Sequence, residues 1–170
     1  MLLNAMAQTE STRLNDLSSD LLYAVRINQP YQDFKSEIES YSVAQIDSLL
    51  VTDVQKKAFW INIYNAYTQL TLKETPQTYQ NRGEFFRAKI ISFNDVSLSL
   101  NQIEHGILRR HKVVWGGGYI TSLFKNKATK VLMVDELDYR IHFALNCGAK
   151  SCPAISFYSE NNFNRYKRLF

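Results

Sequence analysis

The chain opens on helical periodicity. Leu14, Leu17, Leu21 and Val25 recur at helical spacing and predict a helix over residues 12–27, with Ser11 as its cap and residues 1–12 frayed. Pro30 ends it. Gln32 to Tyr41 predicts a shorter helix with Phe34 and Ile38 on one face, and Ser42 is placed to cap a further turn through Ile46 and Leu49-Leu50. Thr52 and Gln55 then fit a capping box, T-x-x-Q, opening a helix from Asp53 to about Lys73 that contains no Gly or Pro. Val54, Ala58, Ile61 and Leu72 lie near one face, while Phe59, Trp60, Ile63, Tyr67 and Leu70 cover much of the rest. A helix apolar over so much of its circumference belongs at the centre of a fold. Asn62, Asn65 and Gln69 form a narrow polar stripe on it. Buried amides need partners. These either bond to the backbone of a neighbouring loop or orient a catalytic group.

Beyond Thr75-Pro76 the patterns shorten. The polar stretch to Gly83 predicts a loop and Lys89 to Phe93 a short strand. Ser99 and Gln102 make a second box, S-x-x-Q, opening a helix from Leu100 to about Arg110 with Glu104 and His105 in its middle. Gly116-Gly117-Gly118 stops the apolar run Val113-Val114-Trp115, but it lacks phosphate-loop spacing and predicts only a flexible loop. Lys130 to Val134 predicts a strand, and Asp135 to Asp138 a turn. Ile141, Phe143 and Leu145 alternate with His142, Ala144 and Asn146, which is strand periodicity with the first set facing the core. The expected class is α+β: a helical N-terminal half packed on a small, mostly antiparallel sheet, in one domain spanning residues 1–170.

Composition supports a globular core. Of 170 residues, 45% are hydrophobic, so disordered and fibrous classes are excluded. No apolar run approaches the ~18 residues of a membrane span. The start, MLLNAMAQ, ends in a small-x-small pattern but lacks the basic and long apolar regions of a signal peptide. The compartment stays open: cytoplasmic, or periplasmic or secreted if a leading segment is missing. Net charge is +4 and uneven: residues 1–80 carry six Lys/Arg against nine Asp/Glu, and residues 81–170 carry fourteen against seven. The basic clusters lack interleaved aromatics and any helix-turn-helix or finger spacing, so no nucleic-acid partner is expected. The substrate class, small molecule or peptide, stays open too.

The chemistry concentrates in Arg140 to Pro153, RIHFALNCGAKSCP, which holds both cysteines and one of the three histidines. Gly148 permits a sharp turn after Cys147, and Ser151-Cys152-Pro153 resembles the start of a helical turn. A thiolate nucleophile needs a base or cation beside it and a group to orient the imidazole. His142 with Cys147 or Cys152 supplies the first; Asn65, Asn146 or Glu104 could supply the second. Five extended residues span roughly 17 Å, so His142 and Cys147 meet only if the chain folds back. Cys152 at a helix start would gain from the helix dipole. The principal reading is therefore a cysteine–histidine enzyme of the acyl-transfer or hydrolase type, drawing on Cys147, His142, Cys152, Glu104, His105 and Asn65. One alternative is a non-catalytic partner-binding or scaffold domain with a structural cysteine pair. Another is zinc held by His105, His142, Cys147 and Cys152, although C-x4-C is looser than the usual C-x2-C; no other cofactor is expected.

FWINIYNAYTQL at 59–70, LNQIEHGILRR at 100–110 and DYRIHFALNCGAKSCP at 138–153 together resemble the bacterial, plant and nematode family called domain of unknown function 547. The blocks stand in the family's order, and the resemblance covers most of residues 15–160. The family usually reads Asp-Pro-Arg where this chain has Asp138-Tyr139-Arg140. Its members tend to continue past Ser-Cys-Pro into a helical portion, so a truncated end at Phe170 is one reading. The resemblance implies no activity. Some animal members join this domain to glutaredoxin-like and membrane-signalling modules, and plant members to a leucine-zipper segment, which implies redox or scaffold work.

Overall fold

The computed structural model describes residues 2–111, 126–149, 152 and 154–163. Helix α1 (Leu2–Ile27) starts upstream of the expected point. Nothing in residues 2–10 is Gly or Pro, so the helix continues through Ser11, which is buried inside it and caps nothing. Its C-terminus closes as expected before Pro30. Asn28 takes a positive φ of 59°, and the Gln29 amide reaches back to the Ala24 carbonyl at 2.9 Å.

Helices α2 (Gln32–Glu39) and α3 (Val43–Leu49) follow. The Ser42 hydroxyl accepts from the Gln45 amide, and the Gln45 side chain accepts from the Ser42 amide. The same reciprocal box starts α4 (Asp53–Glu74): Thr52 Oγ1 accepts from the Gln55 amide at 3.3 Å, and Gln55 Oε1 accepts from the Thr52 amide at 2.9 Å. This satisfies amides that a helix start leaves unbonded.

Helix α4 is the axis of the fold. Every residue from Gln55 to Thr68 is buried. Leu14, Leu21, Leu22 and Val25 of α1 pack along it. Trp60 meets Phe59 edge-on at 4.9 Å between ring centroids and Phe93 at 5.8 Å. Burying each such side chain contributes about 1.5–3 kcal/mol. The charged residues at its N-terminal end are answered in place. Lys57 Nζ lies 3.1 Å from Asp53 and 3.7 Å from Asp138. The Asp53 carboxylate also accepts from the amides of Asp135 and Glu136 at 2.6 and 2.9 Å, anchoring that loop to α4.

The second half departs from the expected strands. Among the described residues the fold is mostly helical α+β with one very small sheet, β1 (Ile91–Ser92) paired antiparallel with β2 (Ser97–Leu98). The expected strand at 89–93 shrinks to those two residues of β1. The expected loop before Gly83 is a 3-10 turn (Pro76–Gln80), followed by α5 (Arg82–Arg87). The expected strand at 130–134 is instead the tail of α6 (Lys127–Val131), because Asn126 Oδ1 accepts from the Ala128 amide and caps a helix there. The expected strand at 141–146 is α7 (Ile141–Ala144). Asp138 turns the chain at its start, its side chain accepting from the Arg140 amide and its carbonyl from the Ile141 amide. The buried set is therefore Ile141, Ala144 and Leu145, at helical spacing, and Phe143 is 46% exposed.

The second capping box is present, with Ser99 and Gln102 bonded reciprocally at 3.0 and 3.2 Å. The helix it opens widens into a π-turn (Gln102–Leu108), in place of the expected regular helix to Arg110. The triple glycine and the Val113–Trp115 run lie outside the described residues.

Candidate functional site

Two asparagines on α4 hold the site in place. Asn65 Nδ2 donates to the Ala144 carbonyl at 3.0 Å, and its Oδ1 accepts from the Asn146 amide at 2.8 Å. Asn62 treats Tyr158 in the same way, at 2.7 Å to the carbonyl and 3.0 Å from the amide. Each side chain thus offers a segment the two bonds a neighbouring strand would have offered. Asn65 therefore acts beneath the site, as a clamp on backbone. Gln69 makes no such pair.

From that clamp the chain runs into Cys147. The Asn146 side chain accepts from the Gly148 amide at 2.9 Å, and Tyr79 Oη donates to the Cys147 carbonyl at 2.7 Å. Gly148 has φ +79°, and a Cβ there would stand 2.7 Å from Leu72 Cδ1. Both reasons favour glycine at this position. The Cys152 amide donates to the Ala149 carbonyl at 3.0 Å and curls the loop back. The two sulfurs then lie 2.9 Å apart, both as half-buried free cysteines. Residues 154–159 form no helix, so the expected helix start at Cys152 and its dipole are not there.

Arg82 at the start of α5 sits over the Tyr79 ring at 5.0 Å and donates to Cys147 Sγ at 3.6 Å. Burial pushes the Cys147 thiol up. The hydrogen bond from Cys152, the Ala149 amide and the Arg82 cation outweigh it and hold the thiol below its ordinary range.

A cleft of about 430 Å³ joins this pair to a charged group. Its lining includes Tyr64, Glu104, Arg109, His142, Cys147 and Cys152. In the π-turn the Arg109 amide bonds to the Glu104 carbonyl, five residues back. That turn also lets the Arg109 guanidinium meet the Glu104 carboxylate at 2.9 Å. Tyr64 Oη donates to the other carboxylate oxygen at 3.2 Å, and burial followed by the Glu104 charge raises the Tyr64 phenol far above its usual value. Arg109 Nη2 also donates to His142 Nδ1 at 2.9 Å. A guanidinium has no acceptor, so Nδ1 must carry no proton and the neutral ring holds it on Nε2. His142 is thereby set as a hydrogen-bond donor through Nε2. The side chain hydrogen-bonded to the His142 ring is Arg109, which is itself held by Glu104.

His105 lies behind Glu104, with Nε2 4.0 Å from the carboxylate, outside the cleft lining. Burial lowers its pKa, and the positive charge of Arg109 adds to that against the pull of Glu104. Among the described residues, no group of three or more His, Cys, Asp or Glu side chains is gathered to hold a metal ion. Among the described residues, no helix is long and apolar enough to cross a membrane.

Of the candidate residues, Cys147, Cys152, His142 and Glu104 share one cleft, while Asn65 and His105 stand behind it. Arg109, Arg82, Tyr64 and Tyr79 complete the surroundings, and no motif in the sequence marks them as site residues. Residues 48–167 match the profile of a protein family of unknown function, DUF547. The chain belongs to the DUF547 family. Searches among curated proteins and solved structures gave no match. The DUF547 region takes in α4, the π-turn and the dithiol loop, so every residue of the cleft falls within it, and α1 and α2 precede it.

Proposed function

We propose that this domain is a thiol-dependent enzyme of the acyl-transfer or hydrolase type, with Cys147 as the nucleophile. The observation that carries the reading is the state of Cys147. Its sulfur opens on a cleft, takes hydrogen bonds from Arg82 and Cys152, and is held below the ordinary thiol range. A thiol so placed gives up its proton more readily than an ordinary cysteine, which reduces what a separate base has to do.

His142 then has a different task from that of a general base. With its proton on Nε2, it can donate a hydrogen bond to an acyl oxygen as negative charge develops there. Phe143 and Leu145 give the cleft an apolar part for an acyl chain. The thiolate attacks the acyl carbon, the bond to the leaving group breaks, and the leaving group departs with its electron pair. Water or another acceptor then attacks the thioester, which returns the acid or transferred product, the Cys147 thiolate and a proton. A neutral imidazole is a poor proton donor. The favoured substrates are therefore thioesters and activated esters, whose leaving groups depart as anions.

The test is turnover of aryl thioesters and nitrophenyl esters by the reduced protein, with intact mass as a second readout. Cys147→Ser is expected to lower turnover on the order of a thousandfold, and the acyl mass should map to Cys147. Cys152→Ser should keep most of the activity. Equal turnover by wild type and Cys147→Ser would remove the proposal.

A further inference from the structure

The proposed acyl chemistry uses one sulfur, yet two lie in the cleft. Cys152 is not a distant second thiol. The Ala149–Cys152 backbone turn has already closed the loop, so ordering costs little more when the sulfurs join. The Cys147 side is fixed by Asn65 on Asn146 and by Tyr79 on the Cys147 carbonyl. The sulfurs stand 2.9 Å apart, and bringing them to a disulfide length of about 2.05 Å takes less than an ångström. Neither is sealed in the core, and both line the cleft. Two buried structural thiols would need none of this access.

We propose that Cys147 and Cys152 form a redox couple that exchanges with low-molecular-weight disulfides, and that the closed disulfide withholds the nucleophile. This rests on the reading of Cys147 as the reactive thiolate. The Cys147 thiolate attacks one sulfur of the small disulfide; a mixed disulfide forms and one thiolate leaves. The Cys152 sulfur, which loses its proton, attacks the Cys147 sulfur of that mixed disulfide; the Cys147–Cys152 bond forms and the second thiol leaves. The protein loses two electrons and the small disulfide gains them. Arg82 assigns the order, since its guanidinium reaches the Cys147 sulfur and favours the charge there. Excess small thiol runs the steps in reverse and restores the open pair.

The experiment treats the full chain with hydroxyethyl disulfide, quenches with acid, blocks free thiols with N-ethylmaleimide and reads intact and peptide masses. Wild type is expected to end with the internal bond, no maleimide and no retained reagent. Cys152→Ser should hold a stable mixed disulfide on Cys147. Cys147→Ser should react about tenfold more slowly than Cys152→Ser. A wild type that keeps the mixed disulfide without closing it overturns the proposal. So does a Cys147→Ser variant as fast as Cys152→Ser. Thioester turnover on the same samples separates the two claims. Turnover by the reduced protein without closure on oxidation removes the redox couple alone, and closure on oxidation with no turnover by the protein while still reduced removes the acyl chemistry alone. Wild-type turnover that persists in the closed form removes the withheld nucleophile.

Discussion

Each of the two reactive side chains in the cleft, Cys147 and His142, is met by an arginine, and the two arginines do opposite work. Arg82 is exposed, rests on the Tyr79 ring, and offers its charge to a sulfur. Arg109 has its charge spent on Glu104, and what it passes to His142 is direction, through one hydrogen bond to Nδ1. The first stabilises an anion and the second selects a tautomer. A cation near a reactive group therefore does not have one meaning. Its exposure and its existing partners decide whether it changes charge or orientation.

That contrast can be broken at its common foundation. Asn65→Ala removes one hydrogen bond from the Ala144 carbonyl and one from the Asn146 amide, and a buried polar group that loses its bond costs about 1–3 kcal/mol. Chemical denaturation should show a loss of about 2–4 kcal/mol, with both groups disturbed together. Arg109→Ala sharpens the contrast. Turnover of a reactive thioester should fall about a hundredfold, while the iodoacetamide rate at Cys147 stays near wild type. If alkylation falls as steeply as turnover, the two arginines do not divide the work. Arg82→Ala should do the reverse by a smaller amount. Alkylation at neutral pH slows a few-fold and its pH midpoint rises, because one of the influences lowering the Cys147 thiol is gone.

The smallest effect is on stability against pH. Folding lowers the His105 pKa, so the unfolded chain binds that proton more readily. Stability from this group is complete above the unfolded value near 6.5, falls as pH drops through it, and levels off below the folded value. Asp53 and Asp138 act in a lower window. Burial raises both carboxyls, but hydrogen bonds and cations outweigh it and hold both below the ordinary value. Their contribution is present above about pH 4 and is lost as pH falls further. Urea midpoints across pH should show the first decline in wild type and lose it in His105→Gln. A His105→Gln curve that superimposes on wild type would mean His105 is not the group responsible.

The N-terminal half was legible because its signals are local and repeated. The capping box at Thr52, the cap at Ser42, an unbroken apolar helix and a Pro stop each need only a few neighbouring residues. The amide stripe was legible too, and its Asn62 and Asn65 took the backbone-bonding alternative. The second half hid its structure for three physical reasons. Six residues of alternation in Ile141–Asn146 fit a strand, but Ile141, Ala144 and Leu145 fit a helical turn equally well. Only the Asp138 turn decides between them. At Lys130–Val134 the deciding residue, Asn126, lies outside the apolar run. The Glu104–Arg109 pair is five residues apart, a spacing that an ordinary helix does not bring together. The π-turn does so, and no 3.6-residue pattern announces it. The site was legible as a set of residue types in one stretch. The partners that tune it came from α4, α5, the 3-10 turn and the π-turn, with no sequence signal of their own.

The paired asparagines have a mechanical consequence. Three residues apart on α4, Asn62 and Asn65 grip two separate segments of the chain, at 144–146 and at 158. Neither segment has a sheet to belong to, so both ride on the helix as fixtures on one beam. A tilt of α4 carries the cysteine loop and the Tyr158 segment together, and their spacing survives it. Slack in either grip frees only its own fixture. The precision of the cleft thus follows the stiffness of a helix, since the β1–β2 pair does not reach either segment.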